Sequence, residues 1–223
     1  MGSRTRSSMQ IKWLGHATFL ITSQTGVKII IDPYTVDSHI HYGPLNEFAD
    51  IVTVSHGHGD HSNAQAIKGN PQVLNSAGVK SLKGIAIKGV MAFHDAVNGT
   101  KRGKNIIYCY KVDGIDICHL GDLGHTLDKQ QLDEIGHVDI LIVPVGGFFT
   151  IDAKEANTVV DEIKPKIVIP MHYKTPKTDH PIVDVEEFLK GKKNVRKMNS
   201  SSVTFTNNTL PEENEIVVLQ SAY

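Results

Sequence analysis

The chain has 223 residues, a formal net charge of −1 and 40% hydrophobic residues, an ordinary globular composition with enough length for one sizeable core. The near-neutral charge gives no global reason to expect a nucleic-acid or membrane partner. Because no apolar run approaches the roughly 20 residues that span a bilayer, no membrane insertion is expected. Twelve histidines are the unusual feature of the composition.

The N-terminal residues are polar and lack the apolar stretch of a secretory signal peptide. We interpret residues 1–8 as a disordered tail or a cloning remnant, and residues 9–223 as a single domain. A cytoplasmic location is therefore expected. The two cysteines are too few for a disulfide framework.

Strand patterns dominate both ends of the chain, and helical patterns alternate with strands in the middle. Strands are predicted at QIKWLG, ATFLIT, VKIIIDP, DIVTVS, PQVLN, IAIKGVMAFHD, VDILIVPVGG, KIVIPMHY, SVTFT and EIVVLQ. Helices are predicted at HSNAQAIKG (capped by Ser62), SAGVKSLKG (closed by Gly84), QQLDEIG, DAKEANTVVDEIKP (capped by Asp152 and Glu155) and VDVEEFLKG. This order favours an α/β fold in which two sheets pack face to face with helices outside.

The segment NIIYCYKVDGIDICHL predicts a β-hairpin with Asp113 and Gly114 at a two-residue turn. That register places Cys109 opposite Cys118. We expect two reduced thiols packed as small hydrophobic groups, with a cross-strand disulfide as the alternative.

Polar residues that bind metals recur where the apolar strands end. They are His56, His58, Asp60 and His61 in SHGHGDH, then His94 after VMAF, Asp122 after IDICHLG and His172 after KIVIP. A lone histidine is ordinarily a surface or core residue. Three histidines and an aspartate within six positions indicate a metal site instead, because such groups are costly to bury without compensation. Imidazole and carboxylate without thiolate suit zinc, manganese or iron.

The H-x-H-x-D-H segment resembles the signature of the metallo-β-lactamase superfamily. The other short motifs occur in the same order as in that superfamily. They are DP at Asp32, a histidine at His94, GD at Asp122 and PMH at His172. WLGHATFLI and GDLGH are similar to the branch that contains ascorbate-phosphate lactonases and N-acyl-phosphatidylethanolamine phospholipases, and within it to small uncharacterised metal-dependent hydrolases. The resemblance implies a four-layer αββα sandwich.

The same resemblance implies a pair of divalent metal ions, with zinc expected and manganese or iron as alternatives. The implied ligands are His56, His58 and His94 for the first ion, Asp60, His61 and His172 for the second, and Asp122 as the bridge. His58 stands where flavodiiron oxidoreductases of this fold have a glutamate, which argues against redox chemistry. Asp122 stands where some β-lactamases have a cysteine, which argues against that activity.

Further polar residues are candidates for roles beside the metals. Asp60 is expected to orient the attacking water, and His16 and His125 are candidates for proton donation or substrate contact, with a structural role as the alternative. Asp32 is either the partner of a ligand histidine or a turn residue before Pro33.

The remaining histidines divide into three groups. His119 is expected to support the metal site or the core, His39 and His41 are candidates for the pocket wall, and His137 and His180 are expected at the surface.

Three basic residues have two interpretations. Lys101, Arg102 and Lys174 either lie in solvated loops, which is favoured, or attract an anionic substrate.

The leading functional hypothesis is a binuclear metal-dependent hydrolase that cleaves an ester, lactone or phosphodiester bond of a small molecule. One alternative is a nucleic-acid phosphodiesterase of the same fold, which the neutral charge disfavours. Another is a metal-binding module without turnover, which closed four-coordinate sites would indicate.

Overall fold

The structure, a computed structural model, describes residues 8–223 and consists of two β-sheets packed face to face. The predicted tail therefore lies outside the described residues, apart from Ser8. The strands of the first sheet are, in spatial order, β13 (Ser202–Phe205), β1 (Met9–Gly15), β2 (Thr18–Thr22), β3 (Lys28–Ile31), β4 (Ile51–Thr53) and β5 (Gln72–Leu74). Those of the second sheet are β12 (Val195–Lys197), β14 (Glu215–Val218), β11 (Ile167–Met171), β10 (Ile140–Pro144), β9 (Ile115–His119), β8 (Lys104–Val112), β7 (Ile85–Phe93) and β6 (Gly78–Leu82).

The helices lie against the second sheet. Residues 8–223 form three α-helices: α1 (Lys129–Ile135) beside β7, α2 (Ala153–Ile163) beside β10, and α3 (Val185–Leu189) beside α2. The predicted capping pair of α2 is confirmed, because the Asp152 carboxylate accepts a bond from the Glu155 backbone N–H and the Glu155 carboxylate from that of Asp152. None of the helices in residues 8–223 is long and apolar enough to cross a membrane.

The central strands of the first sheet, β2, β3 and β4, are buried almost throughout because both faces of the sheet are covered there. Along β3, Ile29 and Ile31 pack into the core between the sheets, while Ile30 faces the opposite side. That outer face is covered by irregular segments and by a 3₁₀ turn, Ala64–Ala66, rather than by α-helices. The predicted α/β sandwich of two sheets is confirmed.

Two predicted helices are wrong. HSNAQAIKG forms only the turn at Ala64–Ala66, and the Ser62 hydroxyl donates to the Gly57 carbonyl instead of capping a helix. SAGVKSLKG forms the edge strand β6, because the two-residue turn Lys83–Gly84, with both φ angles positive, pairs this segment with β7. The short strand β12 was not predicted, since three residues carry no periodic signal.

The predicted hairpin is confirmed in its register. Val112 pairs with Ile115 and Cys109 with Cys118, around a turn in which Asp113 and Gly114 both have positive φ. Both thiols are free, with the sulfur atoms 3.7 Å apart.

The strands that lead into the polar segments all run in one direction. In the first sheet, β1 and β3 are both antiparallel to β2, and β4 is parallel to β3. In the second sheet, β7 and β9 are both antiparallel to β8, and β10 and β11 are parallel to β9. The carboxyl ends of these strands therefore meet at one edge of the sandwich, where loops on a rigid frame ordinarily carry function.

A hydrogen bond between the sheets offers a test of this packing. Thr53 Oγ1 and the Tyr110 hydroxyl lie 2.6 Å apart, and both residues are buried. Because Tyr110→Phe leaves the Thr53 hydroxyl without its partner, the free energy of unfolding is expected to fall by about 1–3 kcal/mol in denaturant titrations. Tyr108→Phe is the matched control, since its hydroxyl donates a longer bond of 3.3 Å to the partly exposed Ser76 carbonyl. Equal losses of unfolding free energy in Tyr110→Phe and Tyr108→Phe would contradict a stabilising role for the bond between Thr53 and Tyr110.

Candidate metal centre

The structure brings all seven predicted ligands together at the carboxyl edge of the sandwich. They are His56, His58, Asp60 and His61 in the loop after β4, His94 after β7, Asp122 after β9 and His172 after β11. These residues span more than a hundred positions of the sequence, so the common direction of the strands is what assembles them.

The Asp122 carboxylate lies at the centre of this cluster and is 2% exposed. Its Oδ2 atom faces four imidazole Nε2 atoms, those of His61 at 3.1 Å, His94 at 3.1 Å, His172 at 3.3 Å and His56 at 3.7 Å. Three separate loops therefore aim four nitrogens at one carboxylate oxygen.

The ligand atoms form two groups on either side of this carboxylate. His56, His58 and His94 form one group, and within each group the candidate atoms lie within 4.8 Å of one another. The other group contains Asp60, His61 and His172, together with His16, which had not been predicted as a ligand. Apart from His16, these are the residues of the two ligand sets that the resemblance implies, and their assignment to two separate ions stays a prediction.

The donor atoms fit divalent metal ions. His56 Nε2, His61 Nε2 and Asp122 Oδ1 are buried and have no hydrogen-bond partner, which is costly unless an ion uses them. Burial lowers the pKa of His56 to about 3, with a further lowering from His61, so this imidazole is neutral and can offer its lone pair. Nitrogen and oxygen donors without thiolate suit zinc, manganese or iron.

Asp32 holds a ligand histidine in place. This buried carboxylate accepts a bond from His61 Nδ1 at 2.9 Å, from the Ser55 backbone N–H at 2.7 Å and from the Ser55 hydroxyl. Burial opposes ionisation of Asp32, but the bond from His61 and the nearby imidazoles of His61, His119 and His56 together outweigh it and lower the pKa of the carboxyl. Of the two interpretations left open for Asp32, these contacts favour the partner role, which fixes His61 Nε2 toward Asp122.

Asn105 positions Asp122 in a similar way and was not predicted. Its side chain donates to the Leu120 carbonyl and accepts from the Asp122 backbone N–H, each at 2.9 Å. A buried asparagine inside an apolar strand was the available signal, because such a side chain must find partners.

Three residues of the centre have a backbone conformation that residues other than glycine rarely adopt. His16, Asp32 and His172 each follow a strand directly, with φ angles of 51°, 46° and 53°. The His172 backbone N–H donates to the His16 carbonyl at 3.3 Å, which joins the two sheets at the centre. Such conformations persist where the surrounding contacts enforce them, and they cluster at functional sites.

One glycine lets the GDLG loop approach the centre. A Cβ atom on Gly124 would lie 2.3 Å from the His94 carbonyl carbon and from the Asp95 backbone nitrogen. The second glycine of GDLG is therefore required for contact with the segment that carries His94.

The two histidines predicted to donate protons occupy different positions. His16 is fully buried beside Asp60, with its Nε2 3.1 Å from Asp60 Oδ2, and burial together with nearby His172 lowers the pKa of His16 to about 4. It reaches Asp60 but does not line the cavity.

The structure does not bring His125 to the centre. Its Nε2 accepts the Phe93 backbone N–H at 3.1 Å, and its Nδ1 donates to the Thr126 carbonyl at 2.7 Å. Because both ring nitrogens are already bonded to the backbone, the geometry favours the structural role rather than proton donation.

A cavity of about 370 Å³ opens onto the ligand atoms. Its wall consists of Asp37, His58, Gly59, Asp60, His94, Arg102, Asp122, Phe149 and His180. His180 had been predicted at the surface, and this prediction is wrong, because the fold of the segment after β11 brings its ring to 5.8 Å from that of His16. Phe149 and Asp37 were also missed, since both come from irregular segments without a local signal.

The other histidines lie outside this wall. The His39 ring stacks on that of His180 at 5.3 Å, and exposed His41 pairs with Asp179, so the prediction that both line the pocket is wrong. His119 is buried, with Nε2 2.9 Å from the Ala17 carbonyl, as expected for a supporting residue. His137 is exposed beside Asp139, as predicted.

The family model of the beta-lactamase superfamily domain matches residues 10–172 of the chain. The chain belongs to this superfamily. A UPF0173 metal-dependent hydrolase of Pelotomaculum thermopropionicum is 34% identical, with 75% of this chain and 85% of the relative covered. One from Archaeoglobus fulgidus is 31% identical, with 83% and 91% covered. The chain is thus a member of this family of metal-dependent hydrolases, which confirms the predicted resemblance at the level of the superfamily.

Solved structures show the same fold. A candidate Zn-dependent hydrolase of the metallo-beta-lactamase superfamily from Thermotoga maritima is 37% identical, with a TM-score of 0.80 over 95% of this chain and 98% of that chain. A metallo hydrolase from Ignicoccus hospitalis is 22% identical, with a TM-score of 0.64 over 89% of this chain and 99% of that chain. At that identity, the second likeness shows the fold alone.

Removing the partner of His61 tests whether the centre holds metal. Asp32→Asn keeps the shape of the side chain but removes the charge that orients His61, so affinity for a divalent ion is expected to fall about 10–100-fold. Chelator competition monitored with a metal-sensitive dye measures this affinity. Asp179→Asn is the control, since exposed Asp179 bonds to a histidine outside the centre. Equal affinities for Asp32→Asn and the unchanged protein would contradict the assignment.

Proposed function

We propose that this metal-dependent hydrolase is binuclear and cleaves an ester, lactone or phosphodiester bond of a small molecule in the cavity. The observation that carries the proposal is the Asp122 carboxylate, which lies between two groups of metal-binding atoms beside an open cavity. His56, His58 and His94 would hold one ion, Asp60, His61 and His172 the other, and Asp122 would contact both. Zinc is the proposed metal, with manganese or iron as alternatives that use the same ligands.

When bound, a pair of divalent ions supplies Lewis acidity and lowers the pKa of water, which makes a nucleophile available near neutral pH. Asp60 is suited to orient that water, because its carboxylate belongs to the second ligand group and also lines the cavity. Neutral His16 donates from Nε2 to Asp60 and so fixes the direction of this carboxylate. His16 is therefore a positioning residue in this proposal.

The leaving group requires a proton donor on the cavity wall. His180 is half-buried and lines the cavity, whereas His16 and His125 do not. We therefore assign proton donation to His180, in place of the two histidines predicted from the sequence.

Two alternative functions receive less support. A nucleic-acid phosphodiesterase needs a basic surface that follows a phosphate backbone, yet the net charge is −1 and the cavity wall within residues 8–223 contains one arginine and no lysine. A module without turnover would enclose its ions completely, whereas His58, Asp60 and Asp122 border open space here.

Metal content and turnover test the proposal in one set of samples. The full chain, stripped with a chelator and reloaded, is expected to bind two ions and to hydrolyse a p-nitrophenyl ester, a lactone or bis-p-nitrophenyl phosphate. His58→Ala removes an exposed ligand of the first group, so it is expected to bind one ion and to lose at least about 100-fold in kcat/KM, equivalent to roughly 3 kcal/mol.

His41→Ala is the matched control, because His41 is also exposed but pairs with Asp179 outside the centre. Two ions and full activity in His58→Ala, or no hydrolysis of any substrate by the protein loaded with zinc, manganese or iron, would contradict the proposal.

A further inference from the structure

One basic side chain lies in the wall of the cavity. Arg102 lines it beside His58 and His94, and within residues 8–223 no lysine or other arginine does so. Of the two other candidates for anion attraction, Lys101 lines only an adjacent depression, and the Lys174 ammonium donates to the Thr178 carbonyl. Arg102 is therefore the cation that a molecule in the cavity would meet.

The loop before Arg102 is fixed by a single carboxylate. Asp95, directly after the ligand His94, accepts backbone N–H bonds of 2.7–2.9 Å from Val97, Gly99, Lys101 and Arg102. The His94 backbone N–H also donates to the Gly103 carbonyl at 3.0 Å, which closes the loop. The position of Arg102 is thus tied by backbone bonds to that of a metal ligand.

The guanidinium group is also held in place. Its Nη1 donates to the Phe148 carbonyl at 2.9 Å, and its central carbon lies 5.1 Å from the centre of the Phe149 ring. Phe148 has a φ of 62°, a strained conformation for a non-glycine residue. Within the described residues, Nε and Nη2 have no hydrogen-bond partner, and Arg102 forms no ion pair with a cavity carboxylate.

We propose that Arg102 is the subsite for an anionic group of the substrate, a carboxylate or a phosphate, held apart from the bond that is cleaved. This assignment rests on the proposed function, because it places the reacting bond over the metal ligands of the same cavity. The edge of the guanidinium group formed by Nε and Nη2 can donate two parallel hydrogen bonds to two oxygens of such an anion. Because its neighbours already hold the Arg102 side chain in place, the side chain loses little conformational entropy when the anion binds.

The cavity wall also indicates what the rest of the substrate looks like. Next to Arg102, the rings of Phe149 and His180 meet edge to face with centres 5.2 Å apart. Apolar or aromatic carbon between the anion and the reacting bond would pack on these rings. The expected substrate is therefore a small organic anion with an apolar body, which fits a cavity of about 370 Å³.

Equilibrium binding tests this subsite without requiring turnover. The metal-loaded full chain is titrated calorimetrically with 4-phenylbutyrate, 3-phenylpropyl phosphate and the neutral 4-phenylbutan-1-ol. For Arg102→Met, binding of the preferred anion is expected to weaken about 10–100-fold, the range for a charge-assisted pair of hydrogen bonds, while the alcohol is unaffected. Tighter binding of one of the two anions shows whether the subsite prefers a carboxylate or a phosphate group.

Two further variants separate charge from geometry. Lys101→Met removes the neighbouring charge on the same loop, and it is expected to bind all three compounds as the unchanged protein does. Arg102→Lys keeps the charge without the planar fork, so it is expected to restore only part of the lost affinity. The thermal unfolding midpoint of each variant is compared with that of the unchanged protein to test whether the fold is retained.

Several results would overturn the subsite. Equal affinity of Arg102→Met and the unchanged protein for both anions would show that the anions bind elsewhere, including on the metals. Equal weakening of the neutral alcohol, or the same loss in Lys101→Met, would also overturn it.

The hydrolysis assay distinguishes a failure of the Arg102 subsite from a failure of the proposed function. Turnover of a neutral p-nitrophenyl ester with unchanged anion binding in Arg102→Met rejects the subsite alone. Loss of anion binding in that variant, in a protein that hydrolyses nothing, rejects the proposed function alone.

Discussion

The centre depends on one constraint, which is that the buried Asp122 carboxylate must be compensated. An ionised carboxylate away from water is costly unless positive charge or several donors surround it. Four imidazole nitrogens lie 3.1–3.7 Å from its Oδ2 atom, yet buried lone pairs on His56, His61 and the Asp122 Oδ1 atom stay without partners. Divalent ions held there would resolve both problems, because they would bind the lone pairs and neutralise the carboxylate.

The rest of the structure delivers these groups to one place. Strands from two sheets run toward one edge, and each ligand follows the end of a strand within a short loop, so the distances at the centre depend on the packing of the sandwich. The strained residues His16, Asp32 and His172 and the tight approach of Gly124 mark the same edge. Stability given up there is recovered in the continuous apolar core between the sheets.

Much of the centre was predictable because its ligands follow strands with strong apolar patterns, as His94 follows VMAF and His172 follows KIVIP. Residues on irregular segments were not, since the position of His180 or Phe149 depends on packing between distant parts of the chain. The same reason explains β6, where a two-residue turn and a free sheet edge outweighed a helix-like composition. Asp95 was predictable only in part. An aspartate shortly before Asn98–Gly99 indicates a turn, but the sequence does not indicate that this turn lies beside the cavity.

Anomalous diffraction from metal-loaded crystals would show directly whether two ions flank the Asp122 carboxylate. We expect two peaks about 3.5–4 Å apart, one near His56, His58 and His94 and the other near Asp60, His61 and His172, with Asp122 between them. A single peak, or peaks at the outlying cluster of Asp116, His137 and Asp139 with none at Asp122, would contradict it.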